Sequence, residues 1–264
     1  MSGYFGTELQ MGLQARAETA ADWIRETPGA CQSGRLIGCD DVERLGWDAI
    51  EEILARDGVC SFRMIPVAEL DGLADRLARI GYRLDTWDVF TADRPTAMEA
   101  TTAILARGLP DGFTALEIPR DPEAPQIVAM QRLMSECGVV PFSGSLLTGE
   151  CAAGTLSAVA DATGTITAVA YGYFPHNAFS PYHRQAWGGL VAVAESQRGK
   201  KLGNIINAMM VRRVFTELDA DGIYELVGAS NLPSRRMVET CGLRFDPGVK
   251  CGSTAAINGA RFTR

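Results

Sequence analysis

Residues 191–203 constrain the chain most. They read Val191-Ala192-Val193-Ala194-Glu195-Ser196-Gln197-Arg198-Gly199-Lys200-Lys201-Leu202-Gly203, an apolar strand that runs through a polar turn into a helix predicted from Leu202 to Leu218. A helix N-terminus presents unpaired backbone N–H groups and the positive end of its dipole, so an anion placed there gains hydrogen bonds and field together. Gly199 and Gly203 let the backbone come close to a phosphate, and Arg198, Lys200 and Lys201 bring cationic charge to the same place. The turn suits a pyrophosphate. On its own it equally suits a surface connection whose charges face water.

A second element lies downstream, from Gly228 through Asn231, Pro233 and Cys241 to Gly242 and Phe245. Asn231 ends a predicted strand and Pro233 stands near a helix start, while Gly242 occupies the place where a helix C-terminus favours a left-handed residue. Around these two segments, periodicity predicts helices over 15–26, 41–56, 69–80, 96–107, 123–136 and 233–240. Strands are predicted over 59–65, 82–91, 113–118, 189–194 and 223–228, with strand-like segments at 243–245 and 250–257. A hairpin joins 155–161 to 166–173 through Ala162-Thr163-Gly164. The densest turn signal, Gly108-Leu109-Pro110-Asp111-Gly112, divides the chain into 1–110 and 111–264.

A net charge of -7 supplies no clustered cations for a nucleic-acid scaffold, and no apolar run approaches the roughly 18 to 20 residues that span a bilayer. No basic and apolar leader stands near Met1, so a cytoplasmic protein is expected, monomeric or homodimeric, with neither nucleic acid nor membrane as partner. The seven cysteines are odd in number, scattered and without a C-x-x-C pair, which reads as buried free thiols. His176 and His183 are the only histidines, and two histidines without cysteine or carboxylate at ligand spacing make no zinc site; no metal is expected.

Taken together, the segments at 191–203 and 228–245 resemble the GNAT acyltransferase superfamily over roughly residues 113 to 260. The resemblance implies an α/β (α+β) fold with a mixed, mostly antiparallel sheet flanked by helices, and acetyl-CoA as co-substrate. It implies that Val191, Ala192 and Val193 offer main-chain groups to the pantetheine arm. Arg198 with the amides of Gly199, Lys200, Lys201, Leu202, Gly203 and Asn204 would hold the pyrophosphate, and Asn231 would contact the cofactor arm. Two positions depart from the family pattern. The mid-motif glycine of R-x-x-G-x-G is Lys201, which fits if its backbone stays helical and its side chain points outward. The tyrosine that many members place seven residues after the Asn, as acid for the departing thiolate, is Val238. A thiol of ordinary pKa, roughly 8.5, leaves without prohibitive cost, so positioning can carry the reaction.

The expected activity is transfer of an acetyl group to a primary amine of a small-molecule or amino-acid-like acceptor, with a backbone donor at Val193 for the oxyanion. Candidates for the proton are His176, His183 and Glu195, with Asn231 at the reacting end; Glu225 is a further base candidate. Tyr171, Tyr173 and Tyr182 stand as acceptor-pocket or acid candidates against a packing role. Loss of the tyrosine also admits a catalytically silent acyl-CoA-binding module, and the fold admits another acyl chain or an oxygen acceptor.

The two halves echo each other. Arg56-Asp57-Gly58-Val59 matches Ala220-Asp221-Gly222-Ile223, and Gly81-Tyr82-Arg83-Leu84-Asp85 matches Gly242-Leu243-Arg244-Phe245-Asp246, with a strand and a helix inside each interval. The N-terminal half then reads either as a degenerate partial copy that completes the core or walls the acceptor site, or as an unrelated extension.

Overall fold

The computed structural model describes residues 3–259. Helices α1 (Glu8–Thr19) and α2 (Ala21–Glu26) lead into a hairpin of β1 (Ala30–Ser33) and β2 (Leu36–Cys39). Next come α3 (Val42–Leu45), α4 (Trp47–Asp57), β3 (Ser61–Pro66), α5 (Leu70–Arg79), β4 (Tyr82–Asp93) and α6 (Arg94–Leu105). The second half adds β5 (Phe113–Ala115), α7 (Pro125–Glu136), α8 (Gly144–Leu147), β6 (Gly154–Asp161), β7 (Ile166–Tyr173) and β8 (Gln185–Val193). It ends with α9 (Leu202–Glu217), β9 (Gly222–Val227), α10 (Leu232–Thr240) and β10 (Arg244–Ala256).

All ten strands join one sheet in the order β1-β2-β3-β10-β4-β9-β8-β7-β6-β5. Neighbours are antiparallel except β2 with β3 and β8 with β9, so the sheet is mixed and mostly antiparallel, as expected. Strand alternation sends Val159, Ala168 and Ala170 to one face, under α6 and α9, and Leu156, Ala158, Val169 and Tyr171 to the other, where α7 and α8 pack. The local signals explain the helices. Asp93 caps α6 by accepting the Thr96 amide, with a proline in the first turn, and Gly58 closes α4 in the left-handed region at φ 72°.

The inner strands carry the internal echo into three dimensions. In sequence, β3-α5-β4 corresponds to β9-α10-β10, yet neither unit pairs its own two strands. β10 lies between β3 and β4, and β4 lies between β10 and β9. The two units therefore exchange their last strands about a local two-fold relation. Outside them β2 runs parallel to β3 as β8 runs parallel to β9. The sheet crosses the turn at 108–112 without interruption, since β4 is hydrogen-bonded on both sides by strands of the second half.

Some elements differ from the sequence expectation. The helix over 41–56 breaks at Gly46, whose φ of 82° ends α3 and starts α4. The two segments after 243 form one long strand, irregular in register between Asp246 and Lys250. The β1–β2 hairpin was not foreseen; its strands are four residues each and buried throughout, so no alternation marks them. No helix among the described residues is long and apolar enough to cross a membrane.

Candidate functional site

The site opens where two parallel strands separate. β8 and β9 pair from Gln185↔Gly222 to Gly188↔Glu225, and beyond that point β8 continues to Val193 without β9 beside it. A bulge assists the divergence. β8 carries one more residue than β7 between the pairs Val169↔Ala192 and Tyr171↔Gly189, and Leu190 in that interval adopts φ 50°. The free edge of β8 from Leu190 to Val193 thus presents backbone groups to a cleft instead of to a strand.

That cleft has a volume of about 1110 Å³ and is lined by Val191, Ala192, Val193, Arg198, Gly199, Lys201, Leu202, Gly203, Asn204 and Asn231, with Cys137, Met237 and others. Of the residues expected to hold the cofactor, only Lys200 stands outside it; its Nζ bonds the Gln197 side chain at 2.6 Å and lies over the Phe113 ring. At the cleft floor α9, 16 residues long, begins without a side-chain cap. The first amide to return into the helix is that of Ile205, to the Lys201 carbonyl at 3.2 Å, so the amides of Leu202, Gly203 and Asn204 have no partner within the helix. Arg198 is largely exposed beside them, 3.9 Å from Glu195.

Lys201 is not helical, contrary to the condition set for it by the sequence. It is the N-cap residue in the left-handed region, φ 63° and ψ 10°. A glycine would sit there freely, and a lysine there carries a strain of roughly 1 kcal/mol. At Gly203 an added Cβ would meet only Met237 Sδ at 3.7 Å and Val193 Cγ2 at 3.9 Å, ordinary contacts. The protein's own packing does not demand glycine at this position. A molecule lying against the first turn of α9 would.

A second cavity of about 430 Å³ adjoins the first, and the two share Gly138, Val139 and Asn231. Its walls come from both halves of the chain: Ser33, Arg35, Ser61 and Arg63 from the first, and Trp187, Leu190, Leu226 and Ser253 from the second. Asn231 stands at the junction, where its Oδ1 accepts the Ser234 amide at 3.2 Å and so caps α10. The residues of α10 that face the cleft are Pro233, Ser234 and Met237, whereas Val238 is buried in the core beneath α9. The position expected to hold the acid therefore faces away from the cleft in this chain.

The other sequence candidates are placed elsewhere. His176 is buried, with Nδ1 2.6 Å from Asp40 Oδ2 and Nε2 3.0 Å from the Tyr224 hydroxyl. Burial pushes its pKa down, against the upward pull of the Asp40 hydrogen bond and charge. Its loop is stitched to the first half, for Asn177 Nδ2 donates to the carbonyls of Ile24, Thr27 and Ala30. His183 rests with Nδ1 3.0 Å from the Ser180 carbonyl, and the Glu195 side chain is 91% exposed. None of the three lines either cavity. Tyr171 and Tyr173 are fully buried behind Trp187, their hydroxyls donating to the Leu146 and Gln32 carbonyls. Glu225 lies on the opposite sheet face under α9, where Asn207 Nδ2 donates to it at 2.9 Å, and burial raises its pKa to about 7. Among the described residues, no Asp, Glu or His side chain lines either cavity.

The sequence reading missed Arg35, Arg63, Ser33 and Ser61, because the hairpin that carries two of them has no periodic signal. It also missed Cys137, whose Sγ donates to the Val193 carbonyl at 3.3 Å inside the cleft.

Solved structures of similar shape identify the fold. The chain superposes on a GCN5-related N-acetyltransferase from Kribbella flavida with a TM-score of 0.55 at 16% identity, over 84% of this chain and 78% of that one. A tandem GNAT protein from the clavulanic acid biosynthesis pathway matches with a TM-score of 0.52 at 15% identity, over 85% and 76%. A Drosophila protein matches with a TM-score of 0.58 at 12% identity, over 96% and 90%. No protein-family model and no curated protein matches the chain. The chain has the fold of these GNAT proteins.

Proposed function

We propose that the chain is an acyl-CoA-dependent N-acyltransferase that moves an acetyl group from acetyl-CoA to the primary amine of a small acceptor. The observation that carries this reading is the cleft between the diverging strands, which runs from the uncapped N-terminus of α9 to a second, smaller cavity at Asn231. The amides of Leu202, Gly203 and Asn204, with Arg198, suit the pyrophosphate. The free edge of β8 suits the amides of the pantetheine arm. The acetyl thioester then reaches the bulge at Leu190, where the second cavity begins.

In direct transfer the amine lone pair attacks the thioester carbonyl carbon, a C–N bond forms, and the C–S bond breaks to give CoA thiol and an amide. The amine must be neutral when it attacks, and the proton it sheds balances the one the thiolate takes up. With no acidic or imidazole side chain among the described residues on either wall, water in the cleft carries that proton. The chain contributes by holding the two reactants together and by offering backbone N–H groups of β8 to the developing oxyanion. The same bare walls favour one second reading, an acyl-CoA-binding module without turnover.

Binding of CoA by calorimetry, followed by thiol release from acetyl-CoA across a panel of amines, separates the two. Binding with release for at least one amine is expected. Tight CoA binding without release for any amine would leave the silent module. Unchanged CoA affinity in both Arg198→Glu and Gly203→Leu would remove the cleft from consideration.

A further inference from the structure

The smaller cavity holds a cation with nothing to balance it. Arg63, on β3, is 6% exposed, and its Nε donates to Ser33 Oγ at 2.9 Å. Its Nη1 is buried without a hydrogen-bond partner, and Arg63 forms no ion pair with a carboxylate among the described residues. The Trp187 ring lies 5.4 Å from the guanidinium carbon, and the ionisable neighbours Tyr224, Tyr173, Cys251 and Cys31, whose pKa values burial raises, bring no negative charge at pH 7. Arg35 lies close enough for burial and the Arg63 charge together to push its pKa down to about 10, still protonated at pH 7. Burying an arginine away from water is costly unless an anion answers it.

Two more orphaned atoms belong to residues that line the same space. Trp187 Nε1 and Ser253 Oγ are buried without partners, and both residues border the cavity. With Arg63 Nη1 they make three buried polar atoms without a partner, all on residues that border one volume of about 430 Å³ and each able to donate a proton. Such convergence is rare in a finished interior and calls for an acceptor-only ligand. A carboxylate is acceptor-only, carries the needed charge and matches the guanidinium fork.

We infer that the acceptor of this cavity is an amino carboxylate whose carboxylate is held by Arg63, Trp187 and Ser253 while its amine points to the junction at Asn231. The placement of the amine rests on the acyl-transfer reading above. The anchor explains the first half of the chain: β3, drawn into the common sheet by its pairing with β10, brings Arg63 to a site whose cofactor side belongs wholly to the second half. Arg63 is a specificity-determining residue, and an acceptor lacking the negative charge would leave the cation buried and alone.

The test uses the full chain with amino acids of differing length, each paired with its own carboxamide. Binding is read by calorimetry with and without CoA, and KM is read by thiol release. At least one amino acid is expected to bind at least tenfold more tightly than its carboxamide. Arg63→Gln should reduce that ratio to below threefold while CoA affinity stays within twofold, and Arg63→Lys, which keeps the charge and loses the fork, should fall between. A carboxamide or uncharged amine that binds as well as the acid overturns the inference, as does a ratio unchanged in Arg63→Gln. CoA binding without binding of any amino carboxylate also overturns it. Amino-carboxylate binding without CoA binding would instead keep the anion site and sink the acyl-transfer reading.

Discussion

Replacing Gly203 by Ala should change stability and cofactor affinity in opposite directions. Without ligand, the new methyl meets only Met237 Sδ and Val193 Cγ2 at contact distance, and it relieves the entropic cost of glycine inside the first turn of α9. The gain is about 0.5 to 1 kcal/mol, which for a chain of this size raises Tm by roughly 1 to 4 °C. With CoA present, the same methyl occupies the approach of the pyrophosphate to the amides of the helix start. Loss of a charge-assisted hydrogen bond costs about 1.5 to 3 kcal/mol, or at least tenfold in affinity. At a CoA concentration a thousandfold above its Kd the native chain gains about 4.1 kcal/mol, and a tenfold weaker variant gains about 2.7 kcal/mol. The difference exceeds the intrinsic gain, so the order of the two melting temperatures reverses. Thermal denaturation of both proteins, with and without CoA, reads the crossing directly. If Gly203→Ala melts above the native chain under both conditions by the same margin, no ligand approaches this turn and the cleft is misassigned.

Three further outcomes follow from groups in and around the site. Glu225 has a folded-state pKa near 7 against an ordinary value of 4.5, so the folded state holds the extra proton: its stability contribution is complete below pH 4.5 and is lost as pH rises through 7. Glu225→Gln, which keeps an acceptor for Asn207, should flatten that decline and stabilise the protein at pH 8 by up to about 3 kcal/mol relative to pH 4.5; urea titrations at the two pH values decide, and equal differences between the proteins would refute it. Cys137 lines the cleft with a thiol that burial pushes up in pKa, so alkylation at pH 9 should be slow and should be blocked by saturating CoA. Peptide mass spectrometry that finds equal labelling with and without CoA would contradict that placement. His176→Ala leaves Asp40 buried without its partner and should cost about 3 kcal/mol in stability, while thiol release per folded molecule changes less than threefold; a hundredfold loss of kcat at unchanged folding would make His176 catalytic after all.

The larger cleft was legible because the residues that line it are largely contiguous: a strand, a basic turn and a helix start within thirteen residues, then Asn231 and Gly242 at the two ends of α10. Local chemistry of that kind survives in a single sequence. The smaller cavity was not legible, because Arg63, Trp187 and Ser253 come from three strands that meet only through the sheet order. The histidines misled for the complementary reason. Their loop precedes β8 in sequence, but Asn177 and His176 turn it toward α2, β1 and Asp40, where it fastens the two halves. Lys201 shows the limit within the motif itself, since composition cannot reveal that its backbone is left-handed.

The interleaving of β4 and β10 sets an order of events during biosynthesis. β4, 12 residues long, is complete when the ribosome reaches residue 93, yet one neighbour, β9, starts at residue 222 and the other, β10, at residue 244. At about 5 to 20 residues per second, the nascent chain waits roughly 6 to 26 seconds with both edges of that strand open. β3 waits longer for the strand that separates it from β4. Closure of the sheet therefore waits for β10, and a message truncated before β10 yields a product with two unsatisfied strand edges, the substrate that quality-control proteases and aggregation share.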